Sequence, residues 1–432
     1  MLAYGTVSQV QNMKEIYFPR HQRRFFQMGD VGSHPQFRHL DLPPQGFGFT
    51  STPMGYKQWL KSLPEAFKNA FYSWMAIIRF GSNNGVSLLK SLGFIWSRGL
   101  SLVPAPAGMD TTFLPTFPFT HQNEKWFLEI EDVTTLFRPY ILNGQTERVK
   151  VRELGCYPLV KNLLESDKCL GIMTHVQSTQ DSLKKIFTSP VIDAKTKFLP
   201  APYIPTVEVH EADLNQLRSQ QSTQFFFNNS WHQDAVNFYL RGGVSILEAF
   251  ERALDNQLPV RLVLRSKIPK ELMDRFGHLL AHPQVEFVNH FLLQEDYLKI
   301  LQSSHYFLLP SARLHVVSLL ESMYLGAVPI VSDGWGISEY VTGGINGFVV
   351  PGVYGKVSWV DKDSGELREN YGPMYQQPGL LTEGLYRVIE KTVKPSLHSA
   401  MALAGHRLVR DQYSIAKFNP QFSEFLSEGL NL

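Results

Sequence analysis

The sequence is short of cysteine, of charge imbalance and of long apolar runs. Its 432 residues hold two cysteines, Cys156 and Cys169. They form no Cys-x-x-Cys pair, which argues against both a disulfide framework and a zinc site. Lysine plus arginine number 41 against 39 for aspartate plus glutamate, a formal net charge of +2. Nothing in that total draws the chain to nucleic acid or acidic lipid. No apolar run reaches membrane-spanning length, and the first residues lack the charged-then-apolar pattern of a signal. A cytoplasmic protein is the expectation. No internal repeat or low-complexity tract stands out. What is present is 44% hydrophobic residues with 19% charged, ample for globular cores and against disorder. The length predicts two domains.

Residues 1–110 are the least legible. Arg20, His21, Arg23 and Arg24 with Phe25 and Phe26 make a small basic, aromatic cluster, read as a solvated loop ahead of a contact for an anionic acceptor or a membrane surface. Glycine and proline scattered through 29–55 read as irregular structure. Residues 60–80 and 86–96 carry aromatic and aliphatic side chains at helical spacing with lysines nearby. Helices packed against a sheet are the favoured reading, and contact with a bilayer headgroup region is the alternative. Order returns after 110. Residues 126–130 read as a strand followed by an acidic patch at Glu129, Glu131 and Asp132, 170–173 as a strand and 181–187 as a helix. Residues 198–222, rich in proline and polar side chains, have the composition of an interdomain linker. Strands at 225–227, 261–264 and 285–288 then alternate with helices at 244–254 and 270–280, which predicts a parallel, doubly wound sheet. Ligands of such sheets sit at the carboxyl ends of strands. Arg241, Lys267, Asn289, Ser311 and Asp333 follow strand ends or open helices, so they are expected on one rim.

The most informative stretch is 305–351. Residues 306–309 are a short apolar run stopped by Pro310, as in a buried parallel strand. Apolar residues at 316, 319, 320 and 323 have helical spacing, with Gly326 at the C-cap. Residues 328–331 and 347–350 read as two more strands. Within the helix, a carboxylate at Glu321 would accept two hydrogen bonds from a vicinal diol such as a ribose. The helix N-terminus near Val316 would offer N–H groups to a diphosphate. On spacing alone, an ordinary solvent-facing Glu321 is the better reading.

The wording of the stretch alters that balance. Pro310-Ser311, Leu319-Leu320-Glu321-Ser322-Met323, Gly326-Ala327-Val328-Pro329-Ile330-Val331, Glu339 and Asn346-Gly347-Phe348-Val349-Val350 resemble the donor-binding half of family 4 glycosyltransferases. These are retaining GT-B enzymes that use nucleotide sugars, and the resemblance covers roughly residues 165–425. It implies an α/β fold of two Rossmann-like domains facing a cleft, the amino-terminal one divergent. Residues 1–205 would be the acceptor-side domain and 206–400 the nucleotide-sugar donor domain. Residues 401–432 would be a helix returning toward the first. It also implies hexosyl transfer, with retention, from a UDP- or GDP-sugar to a saccharide, lipid-linked saccharide or other glycoconjugate, in the setting of polysaccharide biosynthesis. No cofactor, metal or nucleic acid is then expected. The cytoplasm, with peripheral contact at the inner face of the membrane as an addition, is the expected location.

The same resemblance assigns residues. In the family a cation ahead of the first donor-domain helix meets the diphosphate. Arg241, before Gly242 and Gly243, occupies that place, and arginine's planar fork suits phosphate oxygens. The family's second cation, an arginine after the first strand, is missing. Asn228, Asn229 and Ser230 stand there, with Lys267 as a substitute, and Asn289 joins the donor set. Glu321 matches the ribose-contacting second glutamate of a pair separated by seven residues. Arg313 stands where the first would lie, and a shift of one or two residues puts His315 there instead. A neutral imidazole would hydrogen-bond a sugar hydroxyl; Arg313 would favour an acidic sugar or support the diphosphate. Glu339 matches a later glutamate that meets backbone or substrate, with turn capping about as good a reading. His121 is the candidate for an acceptor-side histidine, weighed against a loop or core role. Asp361-Lys362-Asp363 has a metal–diphosphate spacing but sits in a polar insertion and reads as solvated surface. Asn228-Asn229-Ser230, formally a glycosylation acceptor, is discounted. The changes at Arg313 and in the first third leave a rival open: a degenerate GT-B subunit that binds without turnover.

Overall fold

The computed structural model describes residues 13–18, 35–50, 108–115, 125–137, 148–214, 222–229, 237–352, 366–368, 379–393 and 396–432. It also describes isolated positions, among them Leu88, Leu89, Ile141 and Met374. The basic cluster at 20–26, most of 57–98, His121, Ser230 and Asp361–Asp363 lie outside the described residues. The chain divides into two units. Met1–Leu142, Val151–Pro200 and Ile415–Leu432 form the first; Asn143–Lys150 and Ala201–Ser414 form the second. The crossing thus falls after Pro200, just ahead of the expected boundary at 205. Of the expected returning segment 401–432, only Ile415–Leu432 belongs to the first unit.

The first unit holds a six-stranded parallel sheet of β1 (Lys14–Tyr17), β2 (Phe47–Thr50), β3 (Thr111–Pro115), β4 (Trp126–Glu129), β5 (Cys169–Thr174) and β6 (Thr196–Phe198). Its spatial order is β2-β1-β3-β4-β5-β6. Helices α1 (Tyr157–Glu165), α2 (Gln177–Phe187) and α3 (Pro190–Lys195) connect its later strands. Strands flanked on both faces become almost wholly apolar, and Phe113, Phe127, Leu128, Ile172 and Met173 are all buried. Helix α10 (Ile415–Leu430) lays Phe418, Phe422, Phe425 and Leu426, spaced for one face, on this sheet. It comes so close that a Cβ on Gly171 would lie 2.6 Å from the Phe425 ring.

The second unit repeats the architecture with β7 (Thr223–Asn228), β8 (Val260–Arg265), β9 (Val285–Val288), β10 (Tyr306–Leu309), β11 (Val328–Ser332) and β12 (Phe348–Val350). All pairings are parallel, in the order β9-β8-β7-β10-β11-β12. Side chains alternate between sheet faces. Phe225 and Phe227 therefore enter one core with helices α4 (Gly243–Asp255), α5 (Lys270–Leu280) and α8 (Gly379–Thr392). Phe226 faces the other way, against Phe307 and against Tyr297 of α6 (Gln294–Ser303). Helices α7 (Val316–Tyr324) and α9 (Ser396–Gln412) complete the unit. Among the described residues no helix is long and apolar enough to cross a membrane.

Candidate functional site

The second sheet is built outward from β7: the chain runs to β8 and β9 on one side, then returns to β10, β11 and β12 on the other. The loops leaving β7 and β10 therefore diverge, and the crevice between their carboxyl ends is a topological switch point, where ligands of this architecture bind. Arg241 lies in the segment after β7. His315 lies after β10 as the N-cap of α7. The two touch, with Arg241 Nη2 donating to His315 Nδ1 at 3.3 Å. Arg241 is 5% exposed, and Nη1 also donates to the Asn228 carbonyl at 3.3 Å.

The contact fixes the histidine's chemistry. Nδ1 accepts, so the neutral ring carries its proton on Nε2. Burial, then the charges of Arg241 and Arg313, hold the His315 pKa well below the usual imidazole range. Its side chain makes no capping hydrogen bond to α7. The N–H groups of Val316, Val317 and Ser318 are the unsatisfied donors of a helix start. Arg313 is held by its backbone, which pairs with Trp335.

Glu321 is on the same helix, 8% exposed. The solvent-facing alternative is thereby overturned. The phenol of Tyr297 donates to its carboxylate; burial first, then that charge and hydrogen bond, push the Tyr297 pKa well above normal, so the donor stays protonated. Arg265, the last residue of β8, was not singled out from sequence. It lies near Tyr297, and its Nη1 donates to Asn228 Oδ1 at 2.8 Å. One residue, Asn228, thus holds Arg241 by its carbonyl and Arg265 by its side chain. Hydrogen bonds link His315, Arg241, Asn228 and Arg265 around the switch point, with the Tyr297–Glu321 pair near enough for its phenol to feel the Arg265 charge.

The remaining expected residues are less closely joined. Gly242 has φ +76°, and a Cβ there would meet the Pro310 carbonyl oxygen at 2.5 Å. Gly243 opens α4 against the Phe238 ring, 2.4 Å from where its Cβ would be. Both glycines thus have packing reasons beside the N–H groups that Gly243 and Val244 present at the helix start. Lys267 follows β8 and is partly buried, whereas Asn289 follows edge strand β9 and is exposed. Glu339 ends a single turn, Ile337–Glu339, and its charge acts on Tyr413. Asp333 accepts from the Gly352 N–H at 2.7 Å, a corner between β11 and β12.

In the first unit two of the three residues of the acidic patch, Glu129 and Asp132, are interior, and Glu131 is half-buried. Glu129 is 1% exposed and accepts from His175 Nε2 at 2.9 Å, with His39 Nε2 3.6 Å away. His175 Nδ1 donates to the Leu199 carbonyl at 2.7 Å. Asp132 is also buried, capping the Thr134 N–H. Among the described residues no group of three or more His, Cys, Asp or Glu is arranged to hold a metal ion.

Residues 238–356 match the model of the family described as glycosyl transferases group 1. That match takes in Arg241, Arg265, Tyr297, His315 and Glu321. No curated protein matches the chain in sequence. Among solved structures, Anabaena HepE in complex with UDP and glucose is similar over 96% of this chain and 99% of its own, with a TM-score of 0.55 at 12% identity. Sucrose-phosphate synthase of Thermosynechococcus elongatus is similar over 96% and 88%, with a TM-score of 0.53 at 12% identity. The fold is GT-B.

Proposed function

We propose that the protein is a glycosyltransferase that moves a hexosyl group from a UDP- or GDP-sugar to a saccharide, lipid-linked saccharide or glycoconjugate, with retention. The observation that carries this reading is the Arg241–His315 contact at the switch point of the second unit, with buried Glu321 on the helix that His315 caps. The family match over residues 238–356 supports it, and the ligands in the HepE structure make UDP the first base to try. Charge develops on the departing diphosphate, so catalysis needs fixed donors aimed there. Arg241 and the α7 N–H groups supply them. Glu321 takes the ribose hydroxyls, and His315 donates from Nε2 to a hydroxyl of the transferred sugar. With arginine and N–H groups on the diphosphate, transfer proceeds without a divalent cation, so activity is expected to survive EDTA.

The test is a thermal-shift screen of nucleoside diphosphates and their sugars, followed by transfer of radiolabelled sugar and NMR assignment of the product anomer. Stabilisation by one ligand class and a product of retained configuration are expected. Binding without transfer or hydrolysis under any acceptor would favour the degenerate binding subunit, which the arginine at position 313 also suits. Leu88 and Leu89 are exposed in a stretch rich in lysine and aromatics, which supports peripheral membrane contact. Flotation with anionic liposomes, lost when both leucines become serine, tests it.

A further inference from the structure

Arg265 is a buried cation whose charge the described protein does not match. It is 8% exposed, and the neutral Asn228 side chain is the acceptor it meets, at 2.8 Å. Its Nε is buried with no hydrogen-bond partner among the described residues. Beside it, Asn229 donates from Nδ2 to Ser266 at 3.2 Å, while its Oδ1 is buried and also without a partner there. Buried charges are ordinarily paired, and buried polar atoms are ordinarily bonded. Two exceptions on adjacent strand ends, tied by the Asn229 N–H to the Arg265 carbonyl at 2.9 Å, call for a missing partner. The place is the carboxyl rim of β8, next to the central strand, with Asn228 between Arg265 and Arg241.

We infer that Arg265 is a second anion-binding residue of the donor site, taking an oxygen of the nucleotide's diphosphate from the β8 side while Arg241 takes another from the helix side. The inference rests on the proposed donor reading. It supplies from a neighbouring strand the cation absent after β7, where Asn228 and Asn229 stand. Lys267 has the charge but not the placement: it is only partly buried, beyond the strand end. Arg265 is instead fixed by Asn228 before ligand arrives, so little side-chain freedom is lost on binding.

The discriminating variant is Arg265→Met, of similar length and uncharged. A structural arginine replaced this way lowers the melting temperature of the ligand-free protein. An unmatched buried charge kept for a ligand leaves it unchanged or raises it. Calorimetry of UDP and GDP, each against its own nucleoside, gives the second readout. The variant is expected to bind the diphosphate roughly tenfold to a hundredfold more weakly, the scale of one or two charge-assisted hydrogen bonds. Nucleoside binding should be unchanged. Wild-type binding with an unaltered variant, a parallel loss of the nucleoside, or a lowered ligand-free melting temperature would each overturn the assignment and leave the donor reading standing. A wild-type protein that binds no nucleoside diphosphate would overturn both.

Discussion

Glu321→Gln isolates the proposed ribose contact. The amide keeps an oxygen to accept from Tyr297, so the buried phenol retains a partner. What disappears is the charge and one of the acceptor positions that two ribose hydroxyls would use. A hydrogen bond to a charged group is worth about 1.5–3 kcal/mol, so replacing it by a neutral or mismatched contact should cost about 2–3 kcal/mol. That corresponds to UDP binding weakened roughly 30- to 150-fold. The control is a ligand rather than a second protein. With 2′,3′-dideoxy-UDP there is no diol to lose, and Glu321→Gln should change its affinity by less than about 0.5 kcal/mol. Calorimetry on the two proteins and two nucleotides closes the cycle. An equal loss for both ligands would mean that Glu321 acts by holding the helix, and no loss for UDP would remove it from the site.

Arg241→Met should weaken UDP and leave uridine nearly unaffected; loss of both in proportion would count against a diphosphate contact. Gly242→Ala combines a left-handed φ with a Cβ 2.5 Å from the Pro310 oxygen. It should lower thermal stability by at least about 1 kcal/mol, and an unchanged melting temperature would contradict the geometry. The two units should respond oppositely to pH. In the second, His315 is kept neutral by burial and by Arg241 and Arg313. Its folded pKa lies below the unfolded value of about 6.5, so stability is present above that value and is lost as pH falls below it. In the first, burial opposes charging of His175, but the Glu129 carboxylate and the Leu199 carbonyl win and raise its pKa. Its contribution is full below about pH 6.5 and is lost as pH rises through the folded value. Hydrogen exchange read by peptide from pH 5 to 9 should show these opposite trends, and Glu129→Gln should remove the alkaline one.

The second unit was legible because its strands are buried on both faces and read as unbroken apolar runs: Phe225-Phe226-Phe227, Leu262-Val263-Leu264 and Tyr306 to Leu309. The first sheet hid its opening strands behind residues that ordinarily break such runs. β1 contains Lys14 and Glu15, and β2 contains Gly48. The two features are one device. A Cβ on Gly48 would lie 2.9 Å from the Glu15 carboxylate, which also accepts from the Thr50 hydroxyl at 3.3 Å. Glycine in the neighbouring strand makes room for a carboxylate, so a composition that looks irregular is a paired strand. The same limit applies to Glu129. A run of Glu129, Glu131 and Asp132 reads as a patch until two histidines distant in sequence, His39 and His175, are found around the first of them.

The site was partly legible for a related reason. Arg241 and Glu321 sit in local wording that resembles a known family, whereas Arg265 carries meaning only by register. Asn228 and Arg265 are direct partners at the ends of adjacent parallel strands, and each closes an apolar run with a polar side chain. On a sheet whose strands all run one way, polar residues at that offset must share a rim. The signal was therefore in the sequence, as the polar residue ending three of the six strands rather than the one opening each helix. Asn228 terminates β7, Arg265 β8 and Ser332 β11. A strand end can be buried like the core and still face the ligand edge, and the sheet meets the charge of Arg265 there with the neutral Asn228 side chain. In the proposed donor reading, residues ahead of a helix such as Arg241 meet the ligand from the loops, and strand-ending residues meet it from the sheet.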